Sequence, residues 1–236
     1  MGSGGGQPGQ VPVIAIDGPG GVGKGTLARR LAEHLGFHLL DSGALYRLLA
    51  LAAEEACVSM QDEAALARLA GQLDVEFRLG ADKDAARPIL RGREVTEALR
   101  SERCGDNASR VAGFPQVRTA LLGRQRDFRQ RPGLVADGRD MGSVVFPDAV
   151  LKIFLSASLE ERARRRYKQL IGKGIGVSLA SLLADIQARD KRDSERNTAP
   201  LRPAGDAEVI DTTGQEIDVV LSRIAAIVEA RGLDCR

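Results

Sequence analysis

Short apolar runs alternate along the chain with segments whose apolar residues recur at helical spacing. Short, nearly continuous runs predict buried strands at positions 11–16, 37–40, 133–136, 150–155 and 208–211. After the first run, Leu27, Leu31 and Leu35 share one face of a predicted helix, and Gly36 is a typical helix terminator. Because parallel strands need long crossover connections, strands that alternate with helices predict a doubly wound α/β fold, a parallel sheet covered by helices on both faces.

One segment departs from this alternation. Between positions 73 and 79, apolar and polar residues alternate with a period of two, and residues 87–91 read as a returning strand after a polar turn. The pattern predicts a small antiparallel insertion. We therefore predict three parts: a core domain of residues 11–60 and 111–236, an inserted subdomain of residues 61–110, and a disordered, glycine-rich leader of residues 1–10.

Composition argues against several classes of protein. The formal net charge of +2 is too small to favour binding to a nucleic acid or a membrane surface. No stretch approaches the roughly 18 to 20 apolar residues that cross a bilayer, and residues 1–10 lack the features of a signal peptide. The 3 cysteines lack metal-ligand spacing, which argues against a zinc site or a disulfide framework. We expect a monomeric, cytoplasmic protein.

The first predicted strand leads into a glycine-rich segment that opens the first helix. Its sequence is Gly18-Pro19-Gly20-Gly21-Val22-Gly23-Lys24-Gly25-Thr26. Glycines allow successive backbone N–H groups to converge on one anion, and Lys24 can reach the outer phosphates of a nucleotide. An ordinary turn between a strand and a helix would explain neither the spacing nor the lysine. The segment therefore predicts a site for the phosphates of ATP.

Charged residues follow another predicted strand. Asp137 is the last residue of the strand predicted from the run at 133–136, and Arg139 and Asp140 follow it after Gly138. Ligands of parallel sheets bind at the carboxyl ends of strands, where Gly18 and Asp137 both fall. Packing does not explain three charges in four residues. We predict that Asp137 holds Mg²⁺ through water, opposite Thr26, which is the first hydroxyl after Lys24.

Two further groups of arginines have spacings that could serve phosphate chemistry. Arg189, Asp193 and Arg196 would share one face of a continuing helix, although such pairs are often solvated surface decoration. An earlier helix is made cationic by Arg162, Arg164, Arg165 and Arg166, and glycines follow them; Arg162, Arg165 and Arg166 are the candidate lid residues. We predict a mobile basic lid at residues 162–178. The alternative is that these arginines only form a solvated, charged face of the helix.

Several motifs together resemble the bacterial cytidylate kinases, a branch of the nucleoside monophosphate kinases. The Gly-Lys-Gly-Thr order, in which Gly25 separates Lys24 from Thr26, is the form found in nucleoside monophosphate kinases. The other motifs are Leu39-Leu40-Asp41-Ser42-Gly43-Ala44-Leu45-Tyr46-Arg47, Asn107-Ala108-Ser109, Pro115-Gln116-Val117-Arg118, Ala136-Asp137-Gly138-Arg139-Asp140-Met141-Gly142 and Arg189-Asp190-Lys191-Arg192-Asp193. The resemblance extends from Val11 to the terminal helix.

The resemblance implies a kinase of pyrimidine nucleotide metabolism that transfers the γ-phosphate of ATP to CMP or dCMP with Mg²⁺. Its antiparallel insertion would bind the acceptor, and its catalytic residues would be Lys24 and Arg139. By motif position, the CMP site would comprise Ser109, Arg118 and Asp140 at the cytosine, Arg47, Arg139 and Arg196 at the phosphate, Arg189 and Asp193 at the sugar, and Ser42 along its wall.

Two other functions fit the glycine-rich loop. A kinase of the same fold could act on UMP, AMP or a small alcohol, and Ser109, Arg118 and Asp140 are the residues that would distinguish it. A nucleotide-binding switch protein would carry an Asn-Lys-x-Asp segment that reads guanine, and the sequence has none.

Overall fold

The computed structural model describes residues 10–79, 86–172, 174–196 and 198–233. Residues 1–9 of the predicted leader and residue 173 of the predicted lid therefore lie outside the described residues. The chain divides into two compact units. We call residues 1–40 with 128–236 the core unit and residues 41–127 the helical unit.

The elements alternate broadly as the pattern predicts. The strands are β1 (Val13–Asp17), β2 (His38–Asp41), β3 (Val75–Leu79), β4 (Ala86–Leu90), β5 (Arg93–Glu94), β6 (Leu134–Gly138), β7 (Leu151–Ser156) and β8 (Glu208–Asp211). The α-helices are α1 (Lys24–Leu35), α2 (Ser42–Glu55), α3 (Glu63–Gly71), α4 (Thr96–Leu99), α5 (Glu102–Val111), α6 (Pro115–Asp127), α7 (Leu159–Ile171), α8 (Leu179–Glu195) and α9 (Ile217–Ala230). A single π-helical turn spans Met141–Val145.

The core unit is built on a five-stranded sheet in the order β2-β6-β1-β7-β8. Strand β1 pairs in parallel with β6 and β7, and β7 pairs in parallel with β8. All five residues of β1 are buried, which explains why Val13–Ile16 are apolar in succession instead of alternating with polar residues. Side chains of α1 and α9 pack with the strands in one apolar cluster that includes Leu31, Ile153 and Ile224. The predicted α/β fold with a mainly parallel sheet is confirmed.

The helical unit contains the predicted antiparallel insertion, a sheet in the order β3-β4-β5. The unit is larger than the predicted subdomain of residues 61–110, because it also includes α2 and α6. Leu49 of α2, Leu66 of α3 and Leu121 of α6 belong to one buried apolar cluster, which holds these helices together. The sequence pattern shows that each helix has an apolar face, but it does not show which partner covers that face.

Within the described residues, no helix is both long enough and apolar enough to cross a bilayer.

Candidate active site

The glycine-rich loop joins the end of β1 to the start of α1. Gly18 passes so close to β7 that a Cβ atom at this position would lie 2.2 Å from the carbonyl oxygen of Leu155. Gly23 adopts a φ of 95° immediately before the first helical residue, a conformation that side chains with a Cβ disfavour. These two glycines therefore fix the path of the loop. The loop leads to the amino end of α1, where the first backbone N–H groups have no partner within the helix and can bind an anion.

Lys24 is buried beneath the loop. Its Nζ donates a hydrogen bond of 2.8 Å to the carbonyl oxygen of Pro19, so the side chain folds back toward the start of the loop. Burial, and secondarily the positive charge of Arg139, lower the pKa of Lys24 to about 7, although Asp137 and Asp17 act in the opposite direction. The site thus disfavours the ammonium charge until an anion compensates it, and phosphate groups are suitable anions.

Asp137 lies beside the start of α1. Its residue is 8 % exposed and pairs with Ile16 of β1 in the sheet. A Cβ atom at Gly25 would lie 3.4 Å from the Oδ2 atom of Asp137, so the carboxylate lies against the backbone directly before Thr26. Thr26 itself is exposed. The arrangement offers a carboxylate and a hydroxyl at the amino end of α1.

The loop after β6 contacts the end of α8 through two ion pairs. The Nε of Arg139 donates a hydrogen bond of 3.0 Å to the Oδ2 of Asp193, which is buried. A guanidinium nitrogen of Arg196 lies 3.8 Å from the Oδ1 of Asp140. The structure therefore brings together four residues that were predicted from separate motifs.

Arg196 reaches this cluster from a different position than predicted. Helix α8 ends at Glu195, and Arg196 has extended backbone angles, with φ −62° and ψ 138°. The chain turns back there, because the N–H of Leu201 donates a hydrogen bond of 2.8 Å to the carbonyl oxygen of Asp193. Arg196 is therefore not on the helical face that Arg189 and Asp193 were predicted to share with it.

Two arginines of the predicted lid contact the glycine-rich loop. Arg162 forms a forked ion pair with Asp190, with N–O distances of 3.0 and 2.6 Å, and donates a hydrogen bond of 3.3 Å to the carbonyl oxygen of Gly20. Arg165 donates hydrogen bonds to the carbonyl oxygens of Val22 and Thr212, at 3.3 and 2.6 Å. Because α7 binds these loop carbonyls, the arginines act as supports of the loop in this structure. Motion of residues 162–178 stays a prediction.

The support that Arg162 gives can be measured by its effect on stability. Its side chain is 6 % exposed, so replacing it with methionine leaves Asp190 without its forked partner. We expect Arg162→Met to lower the free energy of unfolding by about 2 kcal/mol in urea denaturation, since Asp190 keeps partial access to water.

Arg164 provides a matched control on the same helix. Its side chain is 63 % exposed and pairs with Glu161 at the surface. Arg164→Met is expected to change the free energy of unfolding by less than about 0.5 kcal/mol. Equal losses for the two variants would contradict the supporting role of Arg162.

A pocket of about 420 Å³ adjoins the loop on the side of α7 and α9. Its lining includes Thr26, Arg165, Thr212 and Gln215. Thr212 was not predicted from the sequence. It directly follows β8, and Asp137 likewise lies near the end of β6. The polar residues that follow a strand were the available signal. The pocket gives the loop a neighbouring cavity with both apolar and polar walls.

The helical unit holds the other residues that the resemblance assigned to the acceptor. Arg118 is buried, donates a hydrogen bond of 3.2 Å to the carbonyl oxygen of Ala112, and lies 5.9 Å from the centroid of the Tyr46 ring. Arg47 donates a hydrogen bond of 2.6 Å to the carbonyl oxygen of Leu99. These contacts hold two long cationic side chains in defined positions.

Two hydroxyls of the helical unit complete this set. The Ser42 hydroxyl accepts a hydrogen bond of 2.9 Å from the buried side-chain amide of Gln125, a residue that the sequence analysis missed because nothing local marks it. The Ser109 hydroxyl is buried and makes no hydrogen bond within the part of the chain that the structure describes. A buried polar group without a partner costs free energy, which a ligand could recover.

The chain is similar to many known proteins of one family. Residues 14–230 match the family described as cytidylate kinase. A cytidylate kinase of Shewanella amazonensis is 57 % identical over 217 residues, which cover 92 % of this chain and 94 % of the relative. Cytidylate kinases of Pseudomonas fluorescens and Aeromonas salmonicida are 58 % and 56 % identical, covering 95 % and 94 % of this chain and 98 % and 96 % of the relatives. The chain therefore belongs to the cytidylate kinase family of nucleotide-binding phosphotransferases.

Proposed function

We propose that the protein transfers the γ-phosphate of ATP to CMP or dCMP, giving ADP and CDP or dCDP. The observation that supports this most strongly is the position of Lys24 and Arg139. Lys24 is bonded to the glycine-rich loop, and Arg139 is paired with Asp193 in the same unit. The positive charge of Arg139 acts on Lys24 and lowers its pKa. The family of the chain names the acceptor class.

The donor is assigned to the glycine-rich loop. Backbone N–H groups of residues 20–26 would bind the phosphates of ATP, and the adenosine would extend toward the pocket beside Arg165 and Thr212. Carbonyl oxygens of Gly20 and Val22 accept hydrogen bonds from arginines of α7, which support the loop in this conformation.

Mg²⁺ is assigned to Asp137 and Thr26. Among the described residues no cluster of three or more His, Cys, Asp or Glu side chains could form a protein cage for a metal. A carboxylate and a hydroxyl beside a phosphate loop fit an ion that takes its remaining ligands from phosphate and water, as Mg²⁺ does. When bound, Mg²⁺ would neutralise phosphate charge, and Asp137 would hold it through water.

Roles in acceptor binding are assigned within each unit by itself. In the core unit, Arg139 and Arg196 would bind the CMP phosphate, Arg189 and Asp193 the sugar, and the Asp140 carboxylate the exocyclic amine of cytosine. In the helical unit, Ser109 and Arg118 would read the base, Arg47 would bind the phosphate, and Ser42 would line the site. The buried Ser109 hydroxyl, which has no hydrogen-bond partner among the described residues, supports its assignment to a ligand.

Catalysis by this arrangement is electrostatic. Phosphoryl transfer requires in-line positioning and neutralisation of charge on the transferred group, with little covalent chemistry from the protein. Lys24 and Arg139 would supply that neutralising charge. Closure of residues 162–178 over the donor would exclude water, which otherwise competes as an acceptor. We also propose that the enzyme works as a monomer in the cytoplasm, where Cys57 and Cys104 stay free thiols.

A coupled assay of ADP release tests the proposal. Purified protein receives Mg-ATP with CMP, dCMP, UMP, AMP or GMP, one acceptor at a time, and a reaction without acceptor is the control. We expect kcat/KM for CMP and dCMP to exceed that for UMP by about 100-fold or more, because UMP lacks the amine that Asp140 would bind.

Other outcomes have distinct meanings. Preference for a different monophosphate would keep the donor site and remove the cytosine roles of Ser109, Arg118 and Asp140. ADP release that no monophosphate accelerates would contradict the kinase assignment and favour a nucleotide-binding switch.

A further inference from the structure

Asp17 is a buried carboxylate to which the proposed reaction gives no task. It is the last residue of β1, directly before Gly18, and it is 6 % exposed. Burial of a carboxylate is costly unless its oxygens are well bonded. Its Oδ1 accepts a hydrogen bond of 2.8 Å from the N–H of Met141, and its Oδ2 accepts one of 2.8 Å from the N–H of Gly142. Both oxygens are thus bonded to one short segment of backbone.

That segment is the start of the π-helical turn. Strand β6 ends at Gly138 and the turn begins at Met141, so Arg139 and Asp140 form a connection of only two residues. Pairing of Gly138 with Asp17 in the sheet fixes one end of this connection. The Asp17 side chain fixes the other end. Isolated π-helical turns are rare and occur often at functional sites, which is consistent with a backbone held in place for a purpose.

The charge of Asp17 suits this contact. Burial raises its pKa to about 6, while the N–H groups of Gly142 and Met141 act against the rise. The negative charge of Asp140 adds to the rise, and the charge of Lys24 opposes it. At neutral pH the side chain is therefore the carboxylate that two N–H donors require.

We propose that Asp17 is a positioning residue for acceptor selection. Its two hydrogen bonds to backbone N–H groups set the direction of the Asp140 side chain and hold that side chain at a fixed position relative to the glycine-rich loop. The inference rests on the proposed function, since it assigns Asp140 to the cytosine amine. Asp17 directly precedes Gly18, the first residue of the glycine-rich loop. The same residue therefore holds the start of that loop and, through its side chain, the segment that carries Asp140.

The test is the ratio of kcat/KM for CMP to kcat/KM for UMP in Asp17→Asn. The amide is nearly isosteric, but its nitrogen cannot accept a hydrogen bond, so one of the two N–H groups loses its acceptor. We expect the ratio to fall about tenfold, the effect of one such hydrogen bond, while KM for Mg-ATP changes less than about threefold. Thermal melting of each variant shows that it is folded.

A double-mutant cycle separates positioning from support of the fold. If Asp17 acts through Asp140, Asp17→Asn will not lower the ratio further in a protein that already carries Asp140→Ala. Asp17→Glu, which keeps the charge but displaces both oxygens, is expected to lower the ratio in the same way and carries the test if Asp17→Asn does not fold.

The contrary results are distinguishable. An unchanged ratio in the folded Asp17 variants, or an equal fall with and without Asp140→Ala, overturns the positioning role and leaves Asp17 as a structural strut. A wild-type protein that does not prefer CMP to UMP overturns the proposed function, and this inference with it.

Discussion

Lys24→Met is expected to lower kcat for CMP phosphorylation by about 1,000-fold, with KM for CMP nearly unchanged. Lys24 would stabilise negative charge that develops on the transferred phosphoryl group, and loss of one such group at a preorganised site costs about 100- to 1,000-fold in rate. Methionine retains most of the buried stem and lacks the ammonium, whose charge the empty site disfavours, so we expect the variant to fold. Steady-state kinetics with Mg-ATP and CMP measure both constants.

Lys191→Met is the matched control for this experiment. Lys191 is exposed on α8 and belongs to the same unit, so its removal subtracts one positive charge without changing the loop. We expect kcat within about twofold of wild type, as for most surface substitutions away from a site. A Lys24 variant that turns over like the control would refute the assignment of the glycine-rich loop as a catalytic phosphate site.

The sequence was most informative where function depends on short-range backbone geometry. The segment from Gly18 to Thr26 was predicted correctly to join β1 to α1, whose first turn includes Lys24 and Thr26, because its glycines and lysine occur at fixed local spacing. The parallel sheet was predicted for a similar reason, since the buried strand β1 is apolar from Val13 to Ile16 and only its last residue, Asp17, is polar.

Contacts between distant segments were not predictable in the same way. Asp17 bonds to Met141 across 124 positions of sequence, and Ser42 bonds to Gln125 across 83. No local pattern distinguishes these side chains from ordinary polar residues, because their partners are fixed only when the elements pack. The extent of the helical unit has the same cause, since the partner of the apolar face of α2 is a tertiary property.

The end of α8 shows how a local rule can mislead. Residues 193–196 contain no glycine or proline, so periodicity alone continues the helix through Arg196. The structure ends it at Glu195, because a backbone hydrogen bond from Leu201 takes the carbonyl of Asp193. A guanidinium nitrogen of Arg196 lies 3.8 Å from the Oδ1 of Asp140, a pairing that the helical spacing did not predict.

Arg139→Met is expected to lower kcat/KM for CMP by about 100- to 1,000-fold through changes in both constants. Arg139 is assigned both to the CMP phosphate, which affects KM, and to charge in the transition state, which affects kcat. KM for Mg-ATP should change less than about threefold. A change confined to KM for Mg-ATP would instead move Arg139 to the donor site.

Asp193→Asn provides the graded comparison. It weakens the ion pair that orients Arg139 and keeps the guanidinium, so we expect kcat/KM for CMP to fall about tenfold.

The two large effects should not be additive. Positive charge on Arg139 is the second cause, after burial, of the lowered pKa of Lys24. Removing Arg139 therefore makes the ammonium of Lys24 easier to hold in the empty site and recovers part of what the substitution costs. We expect the double variant Lys24→Met with Arg139→Met to lose more activity than the product of the single losses, because Lys24 is no longer present to compensate for the missing Arg139. Losses that multiply exactly would mean that the two charges act on phosphoryl transfer independently, although each lowers the barrier.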